Sequence, residues 1–175
     1  RNCNMATRTF KCVCFFGSAR DQAAPWGGPA RLGDRVLKFM QLKIAAHNAV
    51  ETNDKLDVEV FDTLAMPEFQ TVMRNPAYFM KEVPAILKAA QDKVEAADCY
   101  IVLTPEYNHT MPSALTNMMN FFGGSKYGYK PSGCVCYSGI GSYMHTHEHI
   151  HPPTYTTHPH THTHARAPAR THTHT

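Results

Sequence analysis

The sequence predicts an α/β protein built on a parallel β-sheet, and three observations carry that expectation. Short apolar runs (residues 10–16, 56–61, 100–103 and 132–138) alternate with stretches of helical periodicity. The stretches between runs are long enough for the crossovers that parallel pairing requires. Polar or glycine-rich loops follow the runs at 17–20, 104–110 and 139–142. In sheets of this kind, ligands sit beyond the carboxyl ends of the strands.

Taken in order, residues 10–16 (FKCVCFF) are almost continuously apolar and read as a strand buried on both faces. Residues 21–29 contain Ala24-Pro25-Trp26-Gly27-Gly28-Pro29 and form a loop by their Pro and Gly content. Trp26 is expected to lie across the surface of the fold rather than to stack on a ligand. A helix is expected over about 34–47, with Val36, Met40 and Ile44 on one face and Arg35, Lys38 and Lys43 elsewhere. Residues 56–61 (LDVEVF) alternate and form a second strand. Residues 62–79 are irregular, punctuated by Pro67 and Pro76. A second helix spans 83–97, with Pro84 in its first turn and Ile86, Leu87, Ala90 and Val94 as its buried stripe.

The stretch 99–122, CYIVLTPEYNHTMPSALTNMMNFF, is a strand–loop–helix unit. Its helix carries Leu115, Met118, Met119 and Phe122 at helical spacing. Residues 123–130 are read as a loop, and 132–138 as the fourth strand.

The chain has 175 residues and a net charge of +3, enough length for one core and too little basic clustering to imply nucleic acid. No apolar run is long enough to span a bilayer, and no signal-peptide pattern opens the sequence. Met5 reads as a natural start, with residues 1–8 expected to be disordered. Six cysteines are present, four of them in two Cys-Val-Cys triplets at strand spacing. Without a Cys-x-x-Cys they are expected to be free, buried and small-hydrophobe-like, in a reducing cytoplasmic setting.

Residues 143–175 are a different kind of sequence. They hold ten of the twelve histidines and almost no apolar periodicity, so a disordered low-complexity tail is expected. Alternating C and A bases encode Thr-His repeats, so we read the tail as a translated microsatellite. A spliced message carrying it in several tissues would count against that origin. Clustered imidazoles bind Zn²⁺, Ni²⁺ or Cu²⁺, but a specific site needs fixed geometry, and no metal site is assigned.

Gly17-Ser18-Ala19-Arg20, Thr104-Pro105-Glu106-Tyr107-Asn108 and Tyr137-Ser138-Gly139-Ile140-Gly141 occur in that order. With these three loops the chain resembles the NADPH-dependent FMN reductase family, flavodoxin-like quinone and azo-dye reductases, over residues 9–142. The resemblance implies a domain with strand order 2-1-3-4 and the cofactors FMN and NADPH. It places FMN against Ser18, Arg20, Arg31, Leu32, Gly33, Pro105, Glu106, Tyr107, Asn108, Ser138, Gly139 and Gly141. The chemistry of these residues suits the assignment. A phosphate needs the Ser18 hydroxyl, an arginine fork and the free N–H groups of a helix start. A flavin ring needs a flat wall such as Tyr107 and close backbone approach at Gly139 and Gly141.

No catalytic side chain is implied, because the flavin carries the hydride. Glu106 and His109 are read as loop structure and as turn or interface, rather than as an acid–base pair. The implied partner is a small-molecule acceptor (a quinone, an azo compound or free flavin), and the implied assembly is a homodimer with Met118 and Met119 as contacts.

Two features depart from the family pattern. The 21–29 segment looks like an insertion and leaves open whether Arg20 or Arg31 meets the phosphate. The family's fifth strand and last helices are replaced by the Thr-His tail. An exposed apolar edge at 133–137, low stability and impaired activity are therefore expected. The alternatives are an FMN-binding electron carrier without an NADPH site and a non-enzymatic truncated product.

Overall fold

The structure is a computed structural model in which residues 7–23, 25, 27, 28, 30–50 and 53–138 are described. Expectations for the N-terminal segment before Thr7, Trp26, Gly139, Gly141 and the histidine-rich tail fall outside these residues.

Strands β1 (Arg8–Phe16), β2 (Asp54–Asp62), β3 (Cys99–Pro105) and β4 (Ser132–Tyr137) form one sheet in the order β2-β1-β3-β4. Every pairing is parallel, with Cys12 opposite both Val58 and Cys99, and Val102 opposite Cys134. The expected strand order is therefore present. Central β1 is buried throughout Cys12–Phe16, which accounts for its unbroken apolar sequence.

Helices α1 (Leu32–Val50), α2 (Ala85–Ala96), α3 (Ser113–Phe121) and α4 (Gly124–Tyr127) make the crossovers. One face of the sheet holds the larger core, where Phe15, Phe61, Phe69, Leu115, Met118, Phe121 and Phe122 pack together. Phe15 meets Phe61 edge-on, with ring centroids 5.7 Å apart. The other face packs Cys14, Phe16 and Leu103 against Val36, Leu37 and Met40 of α1.

Several expectations need correction. Ile86 is 53% exposed, because Leu87, Ala90 and Val94 set the inward face of α2 and Ile86 is turned about 100° from Leu87. Pro84 caps that helix from outside and does not occupy its first turn. The 62–79 segment contains two turns of 3₁₀ helix, Pro67–Phe69 and Ala77–Phe79. It is pinned to α3 by Asn117, which donates to Phe69 O and Thr71 O at 2.9 Å and accepts from Met73 N at 2.9 Å.

The 123–130 loop contains α4. Met118 is fully buried in the core, so it cannot serve as a subunit contact. Cys12 and Cys14 are buried as expected, and burial pushes the Cys14 thiol up to about 12. Cys134 and Cys136 are exposed, because β4 has only β3 beside it among the described residues.

Candidate functional site

The carboxyl edge of the sheet gathers the ends of all four strands. Leaving β1, Gly17 N donates to Leu103 O at 2.8 Å, tying the first loop to β3. This close approach needs glycine: a Cβ here would lie 2.6 Å from Leu115 Cδ2. Ser18 follows and is buried, with its hydroxyl 3.4 Å from Tyr107 Oη, so the first and third loops meet through these two groups. Arg20 is exposed, and its guanidinium carbon stands 5.3 Å from the centroid of the Tyr107 ring. Arg20 has no ion pair among the described residues. Beyond it, Gly27 and Gly28 turn the loop with φ of +93° and +107°, where only glycine sits without strain.

Arg31 behaves differently. It is buried and turned inward, donating to Asp62 Oδ2 at 2.7 Å and to Asp62 Oδ1 at 2.6 Å. It also donates to Ser18 O, which accepts a second bond from Thr63 Oγ1 at 3.0 Å. Its guanidinium lies 4.0 Å from the Phe16 ring centroid. Arg31 thus clamps the first loop to the end of β2. Burial works to raise the Asp62 carboxyl, but bonds from Arg31 and from the backbone N–H groups of Leu64 and Ala65 bring it below the ordinary carboxylate value.

Leu32 and Gly33 form the first turn of α1, beside this clamp. Gly33 has Tyr137 Oη and the Phe16 ring packed where a Cβ would project.

The third loop is a tight hairpin. Tyr107 N donates to Thr110 O at 3.0 Å, and Thr110 N donates back to Tyr107 O at 3.1 Å. Asn108 and His109 between them have φ of +51° and +60°, the left-handed pair of a type I′ turn. His109 Nδ1 lies 3.0 Å from Glu106 Oε1, and with the imidazole side chain 91% exposed it decorates the turn. Pro105 is buried at the end of β3, and Glu106 N donates to Tyr137 O at 2.9 Å, joining the third loop to β4. Ser138 continues from Tyr137 and is half-buried.

Tyr137 Oη and Arg31 Nε are both buried and have no hydrogen-bond partner among the described residues. Burial pushes the Tyr137 hydroxyl up to about 12, and its titration also feels Ser18, Tyr107, Arg31 and Asp34. A cavity of about 320 Å³ lies elsewhere, lined by residues including Ala77, Tyr78, Gln91, Gly123 and Lys126.

The structure therefore brings Ser18, Arg20, Glu106, Tyr107 and Asn108 to one rim and turns Arg31 away from it. Asp62, Thr63 and the Tyr137 hydroxyl belong to the same cluster and were not identified from sequence. The available signal was an aspartate closing the alternating run LDVEVFD.

A four-stranded parallel sheet in the order β2-β1-β3-β4, flanked by helices and with its strand ends linked into a polar, aromatic rim, defines a flavodoxin-like α/β domain. The family model for NADPH-dependent FMN reductases matches residues 11–166. The chain belongs to that family, whose cofactors are FMN and NADPH.

Solved structures share the fold at low identity. An NADH:FMN oxidoreductase called EMOB, in its apo form, matches with TM-score 0.52 and 16% identity, over 74% of this chain and 59% of its own. The flavoenzyme NAD(P)H:(acceptor) oxidoreductase FerB of Paracoccus denitrificans matches with TM-score 0.50 and 17% identity, over 73% of this chain and 60% of its own. An oxidoreductase of Corynebacterium diphtheriae gives TM-score 0.52 and 13% identity, over 75% of this chain and 64% of its own. The chain thus spans less than two thirds of the length of these structures. Among the described residues, no helix is long and apolar enough to cross a membrane.

Proposed function

We propose that this protein is an NAD(P)H-dependent FMN reductase that delivers electrons to a small-molecule acceptor of the quinone, azo or free-flavin class, acting as a cytoplasmic homodimer. The observation that carries the reading is the meeting of the first and third loops, Ser18 Oγ to Tyr107 Oη at 3.4 Å, beside the Arg20 guanidinium, which has no carboxylate partner among the described residues. Family membership supports the cofactor pair.

The residues fit FMN with one reassignment. Arg20 supplies the exposed positive fork for the phosphate, with the Ser18 hydroxyl and the N–H groups of the helix start at Leu32 and Gly33. Arg31 is already engaged by Asp62, so its part is to hold the loop in shape. Tyr107 offers an aromatic wall, and the Pro105–Asn108 turn offers backbone edges for a planar ring, with Ser138 following at the end of β4; Gly139 and Gly141 are assigned to the ring by the family resemblance alone.

Bound flavin contributes hydride acceptance and release; position and charge are the contribution of the protein. No side chain in the rim is asked to act as nucleophile or general base.

Titrating the full chain with FMN and following flavin fluorescence tests the binding step. Arg20→Ala should weaken binding roughly tenfold or more, the loss of one charge-assisted contact to phosphate. Bleaching of the bound flavin by NADPH under anaerobic conditions then separates a reductase from a simple electron carrier. A chain that takes up no FMN overturns the proposal.

A further inference from the structure

The same tripeptide, Cys-Val-Cys, occurs in β1 and in β4 with opposite surroundings. Cys12 and Cys14 are buried, whereas Cys134 and Cys136 are exposed. Their registers opposite Val102 and Thr104 put both β4 thiols on the same face of the sheet. Cys134 Sγ and Cys136 Sγ are 3.3 Å apart, in mutual contact and open to solvent.

We propose that Cys134 and Cys136 form a surface chelation site for a thiophilic divalent cation of the zinc or cadmium type. The geometry favours a bridging ion over a disulfide. A disulfide needs sulfurs about 2.05 Å apart, with Cα atoms normally within about 6.8 Å. Residues two apart on an extended strand have Cα atoms about 6.7 Å apart, at that limit, so bond formation would have to buckle β4. Two sulfurs bound to one tetrahedral zinc, each at about 2.3 Å, stand roughly 3.8 Å apart, which small rotations of the side chains reach from 3.3 Å.

Soft thiolate ligands select such ions over magnesium or calcium. Each loading event exchanges two S–H protons for two metal–sulfur bonds, releases both protons to solvent, and involves no change in oxidation state. Among the described residues no group of three or more potential ligands surrounds the pair, so the two thiolates are the ligands this site supplies. This site is independent of the flavin reading, because it uses no rim residue.

The test must separate thiol binding from the twelve histidines of the chain. Reduced full-length protein is titrated with Cd²⁺ while the ultraviolet thiolate-to-cadmium charge-transfer band is followed, a signal that imidazole does not give. One equivalent is expected to produce the band, and native mass spectrometry should show a gain of one cadmium less two protons. The doubly substituted C134S/C136S protein should lose the band while circular dichroism shows an intact fold. Either single substitution, C134S or C136S, should weaken binding by tenfold or more, because chelation needs both sulfurs. A full band in the double variant, or single variants that each keep half the band at an unchanged midpoint, overturns the proposal.

Discussion

Replacing Arg31 by methionine tests the clamp on which the shape of the first loop depends. Methionine keeps an unbranched stem over Phe16 but removes both bonds to Asp62 and the bond to Ser18 O. The Arg31 and Asp62 side chains are 8% and 23% exposed, so the pair is largely out of water. Removing one partner of a buried ion pair costs about 3–5 kcal/mol, and the partial exposure of Asp62 places this case near 3 kcal/mol. That is roughly a 150-fold fall in the folded-to-unfolded ratio.

Urea unfolding followed by circular dichroism measures the loss. The second substitution in R31M/D62L should recover most of it, since no largely buried charge is then left unpaired; Asp34, 3.4 Å from the Arg31 guanidinium, is 62% exposed. The pH dependence has a defined sign. The Asp62 carboxyl lies lower in the folded chain than in the unfolded one, so its contribution is complete above the unfolded value, about 3.9. The contribution fades as pH falls through the lower folded value. R31M should flatten this acid limb. A loss below about 0.5 kcal/mol, the scale of an ordinary surface change, refutes the clamp, as does a double variant no more stable than R31M.

Two further outcomes follow from the loops. Gly17→Ala should destabilise by about 1–3 kcal/mol through collision with Leu115, and the paired change G17A/L115A should be less than additive in urea unfolding. His109→Gly should raise stability by about 0.5–1 kcal/mol, because glycine takes φ of +60° without strain and the exposed Glu106 pair contributes little; thermal unfolding near neutral pH reads this directly.

Much of the architecture was legible because its signals are local. The β1 run, the alternation in β2 and the strand–loop–helix unit of residues 99–122 each announce an element within a dozen residues, and parallel pairing follows from the length of the crossovers. The third loop was legible as a turn from Pro105 and Asn108, although its left-handed residues were not, since a hairpin geometry appears only when Tyr107 and Thr110 pair. Ile86 and Met118 show where local reading ends. Both are apolar on amphipathic helices, and only the neighbouring elements decide that one faces water and the other the core.

By itself, then, the sequence determined the α/β class and which residue types could reach a phosphate or a ring, while the strand order was implied by the family resemblance of its loop motifs. Only the tertiary structure decided which arginine has a partner. Arg20 and Arg31 carry the same chemistry, and Asp62, which separates their fates, lies at the end of a different strand. For the two Cys-Val-Cys triplets, identical in sequence, the edge position of the second was expected from the family pattern, and among the described residues the first is enclosed by strands on both sides while the second has a strand on one side. Burial and charge pairing are set by what packs alongside a residue, and that neighbour is brought in by the fold from far along the chain.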